Sequence, residues 1–236
     1  MFAILKKEIY SFFSTAIGYL VIGIFLITNG LFIWVFKSEF NILDYGFADL
    51  SGYYFIAPWI FIFLIPAITM KSFSEEKKQG TLEILLTTPI NNWQLVLGKF
   101  LGAFTLIILA LLPTVLYIYT VYQLGNPVGN IDLGSTFGAY TGLLGIAMIY
   151  CAIGIFTSAV SDNQIVAFLL AVLLCFTFYY GFEGLSETTR TSIENIGIKA
   201  HFKNISKGIL DSRDIIYFFS ISALFLFFTS LTLTKK

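Results

Sequence analysis

Apolar residues dominate six stretches of this chain, at about 17–36, 53–70, 96–122, 136–160, 164–183 and 215–233. A helix crosses the hydrocarbon layer in about 20 mostly apolar residues, so each stretch predicts a transmembrane span. The polar breaks between them are short. Residues 37–52 contain Asn41, Asp44, Gly46, Asp49 and Gly52 and read as a loop. Gln123 to Ser135 is dense in Gly, Asn and Pro, and Ser161, Asp162 and Asn163 alone separate the fourth and fifth spans. Ser161 or Asp162 is placed to cap the fifth span. The pattern predicts an all-α polytopic membrane protein with an interfacial helix at 1–14 and one six-helix domain over 15–236.

Within that frame the periodicity is finer. Phe2, Leu5, Ile9 and Phe12 recur at helical spacing while Lys6, Lys7 and Glu8 take other faces, which predicts a short helix lying in the membrane interface. Pro58 and Pro66 fall inside the second span, and proline removes a backbone donor. The freed carbonyls must find partners in the protein, so a bent and well-packed second helix is expected. Gly138, Gly142, Gly145 and Gly154 offer close helix packing in the fourth span. The longest connection, 184–214, carries Ile198, Phe202, Ile205 and Ile209 at one-face helical spacing with Lys199, Lys203 and Lys207 beside them. It is expected to lie on the outer membrane surface or dip into it, with His201 exposed there as the single histidine of the chain.

Composition agrees with the pattern. The chain of 236 residues is 57% hydrophobic and 12% charged, against roughly a quarter charged in a globular domain. The first apolar stretch is longer than a signal-peptide core and no small-residue cleavage site precedes it, so it is expected to remain as a span. Net charge is zero, and orientation therefore rests on where the cations fall. Lys6, Lys7, Lys71, Lys77, Lys78, Lys99, Lys235 and Lys236 share one side of a six-span layout, which puts both termini in the cytoplasm of a bacterial inner membrane. Against this stand Arg190, Lys199, Lys203, Lys207 and Arg213 in the 184–214 connection, interleaved with Glu183, Glu187, Glu194, Asp211 and Asp214. Cys151 and Cys175 sit inside spans without metal-like spacing.

Candidate chemistry is sparse. Charges at membrane depth mark ion and proton carriers, and these spans are nearly free of them, with Lys99 and Glu183 near enough to span ends to snorkel. There is no HExxH, no paired membrane aspartate and no phosphate-binding GxxxxGK[ST] loop. The chain is expected not to be an enzyme and to hold no cofactor or metal. Nucleotide energy, if used, comes from another polypeptide.

One segment stands out, the charged island SFSEEKKQGTLEILLTTP at 72–89 between two membrane-length stretches. Ser72 or Ser74 is placed to cap a helix with Glu75 and Glu76 in its first turn. Gly80 can end that turn, and Thr81 to Leu86 restarts a second piece that Pro89 closes. Leu82, Ile84 and Leu85 would give this piece an apolar face beside Glu83. A cytosolic hairpin over 71–94 with one apolar face and several charges suits docking onto a soluble domain.

The pattern SFSEEKKQGTLEILLTTPI resembles the loop between the second and third helices of ABC-2 type transporter permeases, with its E-E-x-x-x-G-T-L-E core and following L-L-x-x-P. The YSFFS run at 10–14, the six spans and the TSAVSDNQIVAF connection at 157–168 extend the resemblance over nearly the whole chain. It implies that Ser74, Glu75, Glu76, Gly80, Thr81, Leu82, Glu83, Leu85, Leu86 and Pro89 contact an ATPase subunit as a coupling helix. Ser161, Asp162 and Asn163 would be a second cytosolic contact. ATP and Mg would sit on that partner, and the chain would pair with a second six-helix half, a copy of itself or a related subunit, one with a periplasmic domain. The fold implied is that of the type V exporters. The runs at 17–34, 47–61 and 178–185 are similar, more narrowly, to gliding-motility-associated permease subunits of Bacteroidetes. An alternative within the same resemblance is a membrane anchor or mechanical transmission subunit that moves no solute. Membrane lipids are the remaining expected partner, and nucleic acid is not one.

Overall fold

A computed structural model describes residues 1–86, 91–189, 195–209 and 211–234. Pro89, Arg190, Glu194, Lys235 and Lys236, all named above, lie outside the described residues. Those described are helical or irregular, with no strand among them. Six helical stretches are long and apolar enough to cross a membrane: Gly18–Val35, Ser51–Lys78, Asn92–Leu124, Leu133–Val160, Gln164–Ser186 and Ser212–Thr234. They contain five of the six predicted spans and end within one residue of the first at both sides.

The chain starts with α1 (Phe2–Ser14) and turns at Thr15 into α2 (Ala16–Gly30), which continues as a π-helical turn over Leu31–Val35. A short α3 (Ile42–Tyr45) is capped by Asn41, whose side chain accepts from Leu43 N at 2.9 Å. Next come α4 (Ser51–Thr69), α5 (Lys71–Lys78) and α6 (Thr81–Leu86). The third span is α7 (Asn92–Leu111) and α8 (Val115–Leu124), joined by a 3₁₀ turn at Pro113, where a helix loses a backbone donor. The remaining helices are α9 (Leu133–Val160), α10 (Gln164–Phe176), α11 (Phe182–Thr189), α12 (Ile198–Ser206) and α13 (Ser212–Thr234).

The bundle is built around α9, which packs on α4, α5, α7, α10, α12 and α13. Its glycines are the reason so many neighbours fit. Gly138 lies under the carbonyl of Ile205, Gly142 under the ring of Phe202, Gly145 under Phe218 and Gly154 under Thr69. Small residues at helix contacts let backbones approach where lipid supplies no hydrophobic drive between helices. The expected packing role of all four is met. Both prolines of α4 are buried inside an unbroken helix, as the need to satisfy freed carbonyls within protein requires.

Three sequence expectations change. The apolar face of α12 is not turned to the membrane surface: Ile198, Phe202 and Ile205 are buried against α9, and only Ile209 is exposed. A glycine-lined helix offers tighter contact than lipid does, and α12 takes it. His201 is not exposed either. Its Nδ1 is 2.5 Å from Asp214 Oδ1, its Nε2 is 2.8 Å from the Asn195 carbonyl, and its ring stacks on Tyr217 at 3.9 Å. It fastens α12 to the start of α13. In α1 the packed strip is Ile4 and Glu8, set against Gly98 and Gly102 of α7, while Phe2 points outward.

Candidate functional site

The charged island begins as a continuation of the second span. Helix α4 ends at Thr69, the chain passes Met70, and α5 resumes at Lys71. A break of this kind leaves N–H and C=O groups without helical partners. One side chain from another helix meets them. Ser158 Oγ, fully buried on α9, accepts from Phe73 N at 2.9 Å and Ser74 N at 3.1 Å and donates to the Met70 carbonyl at 2.9 Å. Ser74 Oγ also donates to that carbonyl. The α4–α5 joint is therefore held by α9 rather than by a cap of its own.

This corrects the local prediction. Neither Ser72 nor Ser74 caps α5, and Glu75 and Glu76 lie in its middle rather than in its first turn. Gly80 behaves as expected, with φ of +68° at the turn between α5 and α6, a conformation glycine adopts without the Cβ penalty. Thr81 Oγ1 donates back to the Glu76 carbonyl at 3.2 Å. The apolar side of α6 is turned inward: Leu82 is buried and Leu85 packs against the core. Ser74 and Leu82 thus support the hairpin from within and offer no surface to a partner. Leu86 ends α6, and Pro89 lies outside the described residues. Gly80 and Glu83 are exposed, as are the neighbouring Lys78 and Gln79.

The 161–163 turn lies beside this hairpin. Asn163, rather than Ser161 or Asp162, caps α10 by accepting from Ile165 N at 2.9 Å, and Ser161 Oγ accepts from Asn163 N at 3.2 Å. Asp162 is thereby left to reach across, and its Oδ1 stands 3.3 Å from Lys77 Nζ. Lys77 also donates to the Ala159 carbonyl. Two segments far apart in sequence make one surface, with Asp162 and Asn163 exposed on it.

On the other flank stands Lys99, which the hydropathy pattern placed near a span end as a snorkelling side chain. It does not snorkel. Its side chain is 2% exposed, with Nζ 2.9 Å from Glu76 Oε1, 3.2 Å from Glu8 Oε1 and 2.6 Å from the Ser72 carbonyl. The ammonium also stands 4.9 Å from the ring centre of Phe73. Burying an ammonium costs several kcal/mol even after relaxation, and good geometry with several partners is what offsets it. Lys99 has two carboxylates, a carbonyl and a ring, and it joins α1, α5 and α7. Lys7 adds a looser contact with Glu76 at 3.5 Å. Glu76 Oε2 is buried without a hydrogen-bond partner among the described residues, next to a cavity of about 350 Å³ lined by Glu75, Lys71 and Gln79 among others.

Sequence reasoning missed Lys99 and Ser158. The partners Glu8 and Glu76 lie on two other helices, and no periodicity announces a contact so far along the chain. Ser158 carries a faint signal, a polar residue one helical turn before the 161–163 break.

A six-span all-α bundle with a charged hairpin fixed at one end defines a multi-pass membrane protein. Residues 4–207 match the family model of the ABC-2 family transporter proteins, and the chain belongs to that family. No curated protein matches it. Permease domains of this family are membrane components rather than ATPases, and membership implies association with a cytosolic ABC ATPase.

Proposed function

We propose that α5, α6 and the 161–163 turn form the surface on which the ATPase docks, and that the chain passes the ATPase's conformational change to its spans. In this reading the hairpin and both termini are cytoplasmic, the membrane is the bacterial inner membrane, ATP and Mg bind on the partner, and a second six-helix half completes the transporter. The observation that carries the reading is the three-sided clamp on α5. Ser158 grips its start, Lys77–Asp162 its end, and Lys99–Glu76 its other flank. A ligand shifts an equilibrium only through differential interaction with its two states, so a lever that passes such a difference on must not bend where it is pushed. A hairpin that only oriented the chain would need lysines but none of these contacts.

The narrower reading, a gliding-motility-associated permease, is supported by the resemblance of the runs at 17–34, 47–61 and 178–185. It predicts that deleting the chain stops surface motility while leaving growth intact.

The docking reading is tested by co-purifying the full chain with its candidate ATPase. Glu83 is exposed and has no ion-pair partner among the described residues, so Glu83→Arg is expected to abolish co-purification while the permease stays folded in the membrane. Equal recovery of the ATPase by wild type and Glu83→Arg would overturn it.

A further inference from the structure

The end of the bundle away from the hairpin holds a cavity of about 380 Å³ that the docking reading does not use. It lies between the starts of α4 and α9 and the lysine-bearing face of α12. Its volume is at the small end of the range for ligand sites. Leu50, Phe55 and Phe202 give it an apolar wall, and Leu50 and Phe202 are buried while Phe55 is half-exposed.

Both signs of charge face this wall. Asp49 Oδ1 accepts from Ser51 N at 3.1 Å and Ser51 Oγ at 2.7 Å, and Asp132 Oδ1 accepts from Gly134 N at 2.9 Å and Ser135 N at 3.2 Å. Each carboxylate is thus fixed through one oxygen at the start of a helix, which leaves its second oxygen for another donor. Glu183 and Lys199 pair with each other at 2.5 Å. Lys203 is exposed and has no ion-pair partner among the described residues.

A second observation points to a ligand. Tyr54 lines the same cavity, is 9% exposed, and its hydroxyl is buried without a hydrogen-bond partner among the described residues. Thr136 on that wall donates its own proton to the Asp132 carbonyl at 2.7 Å. Buried hydroxyls almost always have partners, and the Tyr54 phenol and the Lys203 ammonium, which line the same cavity, are two donors for an anionic group held there.

We propose that this cavity binds the head group of an aminophospholipid of the phosphatidylethanolamine class. Its phosphate would take the Tyr54 hydroxyl and the Lys203 ammonium, its protonated amine the open oxygens of Asp49 and Asp132, and the start of its acyl chains the wall of Leu50, Phe55 and Phe202. A primary ammonium offers three N–H donors, which a choline lacks. An anionic lipid without an amine would set its phosphate against two carboxylates. The site sits at the end of the membrane spans, where a lipid is the ready source of this chemistry.

The test is native mass spectrometry of the full chain released from nanodiscs holding equal parts of phosphatidylethanolamine, phosphatidylcholine and phosphatidylglycerol with identical acyl chains. A hydrogen bond to a charged group is worth roughly tenfold in affinity, so the wild type is expected to retain phosphatidylethanolamine about tenfold over either competitor. Asp49→Asn and Asp132→Asn, which keep an oxygen for the hydrogen bonds at the helix starts, should each erase most of that preference, while Tyr54→Phe and Lys203→Ala lower retention of all three lipids alike and Lys37→Ala changes neither. Equal retention of the three lipids, or a preference unchanged in both aspartate variants, would overturn the proposal. So would retention led by phosphatidylglycerol, which would make this a plain anion site. Soluble glycerophosphoethanolamine competing as well as the lipid would move the source out of the membrane and overturn the lipid assignment. None of these outcomes depends on ATPase docking.

Discussion

Lys77 Nζ stands 3.3 Å from Asp162 Oδ1, and the two differ sharply in setting: the lysine side chain is 6% exposed and the aspartate side chain 73%. The buried partner also holds the Ala159 carbonyl, so the pair is not symmetric in its importance. Exposed ion pairs contribute at most about 1 kcal/mol, and Asp162→Asn is expected to cost no more than that. Lys77→Met removes the contact with α9 as well and should cost more. Thermal unfolding of both variants in detergent checks the order, and equal losses would contradict it. If the docking surface is shared as proposed, Asp162→Asn also weakens ATPase recovery out of proportion to its effect on folding.

Lys99 predicts a different pattern. Removing one partner of a buried ion cluster leaves uncompensated charge and costs about 3–5 kcal/mol. In Lys99→Met, Glu8 and Glu76 would face each other without their shared cation, and α1 would keep only the looser Lys7–Glu76 contact with α5. The triple change Lys99→Met, Glu8→Gln, Glu76→Gln removes the charge together with its partners and is expected to recover most of that loss. A melting temperature for the triple variant as low as that of the single one would show that the ammonium acts through packing rather than charge.

How much of this was legible in the sequence differs by the kind of interaction. The spans were, because about 20 apolar residues in a row have one stable setting in lipid, and the glycines of α9 were, because small residues on one helix face have a use there. Gly80 was legible as a turn because its backbone conformation suits glycine. The apolar faces of α6 and α12 were visible, but not what covers them: Leu82 and Phe202 fit a partner domain, a membrane surface or a neighbouring helix equally well by periodicity alone. Lys99 was misread for a related reason. A single lysine near the end of an apolar stretch has the same pattern whether it reaches water or two glutamates, and only the fold brings Glu8 and Glu76 to it. The charge pattern raised 72–89 as a site, and the structure then moved Ser74 and Leu82 from its surface to its supports.

The Ser158 hydroxyl makes three hydrogen bonds at the α4–α5 joint. Ser158→Ala leaves the N–H groups of Phe73 and Ser74 and the carbonyl of Met70 without that partner in a site closed to water. Each unsatisfied buried group costs roughly 1–3 kcal/mol, although the Ser74 hydroxyl still reaches the Met70 carbonyl. The loss should therefore come mainly from the two N–H groups. Hydrogen exchange read at residues 70–75 is expected to rise in Ser158→Ala while exchange in α13 stays as in wild type. A rise spread evenly over all helices would mean that Ser158 serves general packing and not the joint.

The tightest approach of α12 to α9 sets the last expectation. A Cβ added at Gly138 would collide with the Ile205 carbonyl oxygen, a backbone atom that cannot rotate aside. Overpacking of this kind costs about 1–3 kcal/mol when neighbours can shift, and here the neighbour is a whole helix. Gly138→Ala is thus expected to lift α12 from α9, exposing Phe202 and Ile205 and opening the cavity that Phe202 lines. Gly23, by contrast, has nothing within 4 Å of where its Cβ would stand and lies inside α2, where alanine is favoured over glycine by about 0.8–1 kcal/mol. Gly23→Ala should leave the melting temperature unchanged or raise it. Limited proteolysis of the 195–209 region reads the difference directly: faster cleavage in Gly138→Ala and unaltered cleavage in Gly23→Ala are expected. Equal protection in both would mean that polar contacts such as His201–Asp214 and Lys199–Glu183, and not the close approach at Gly138, hold α12 in place.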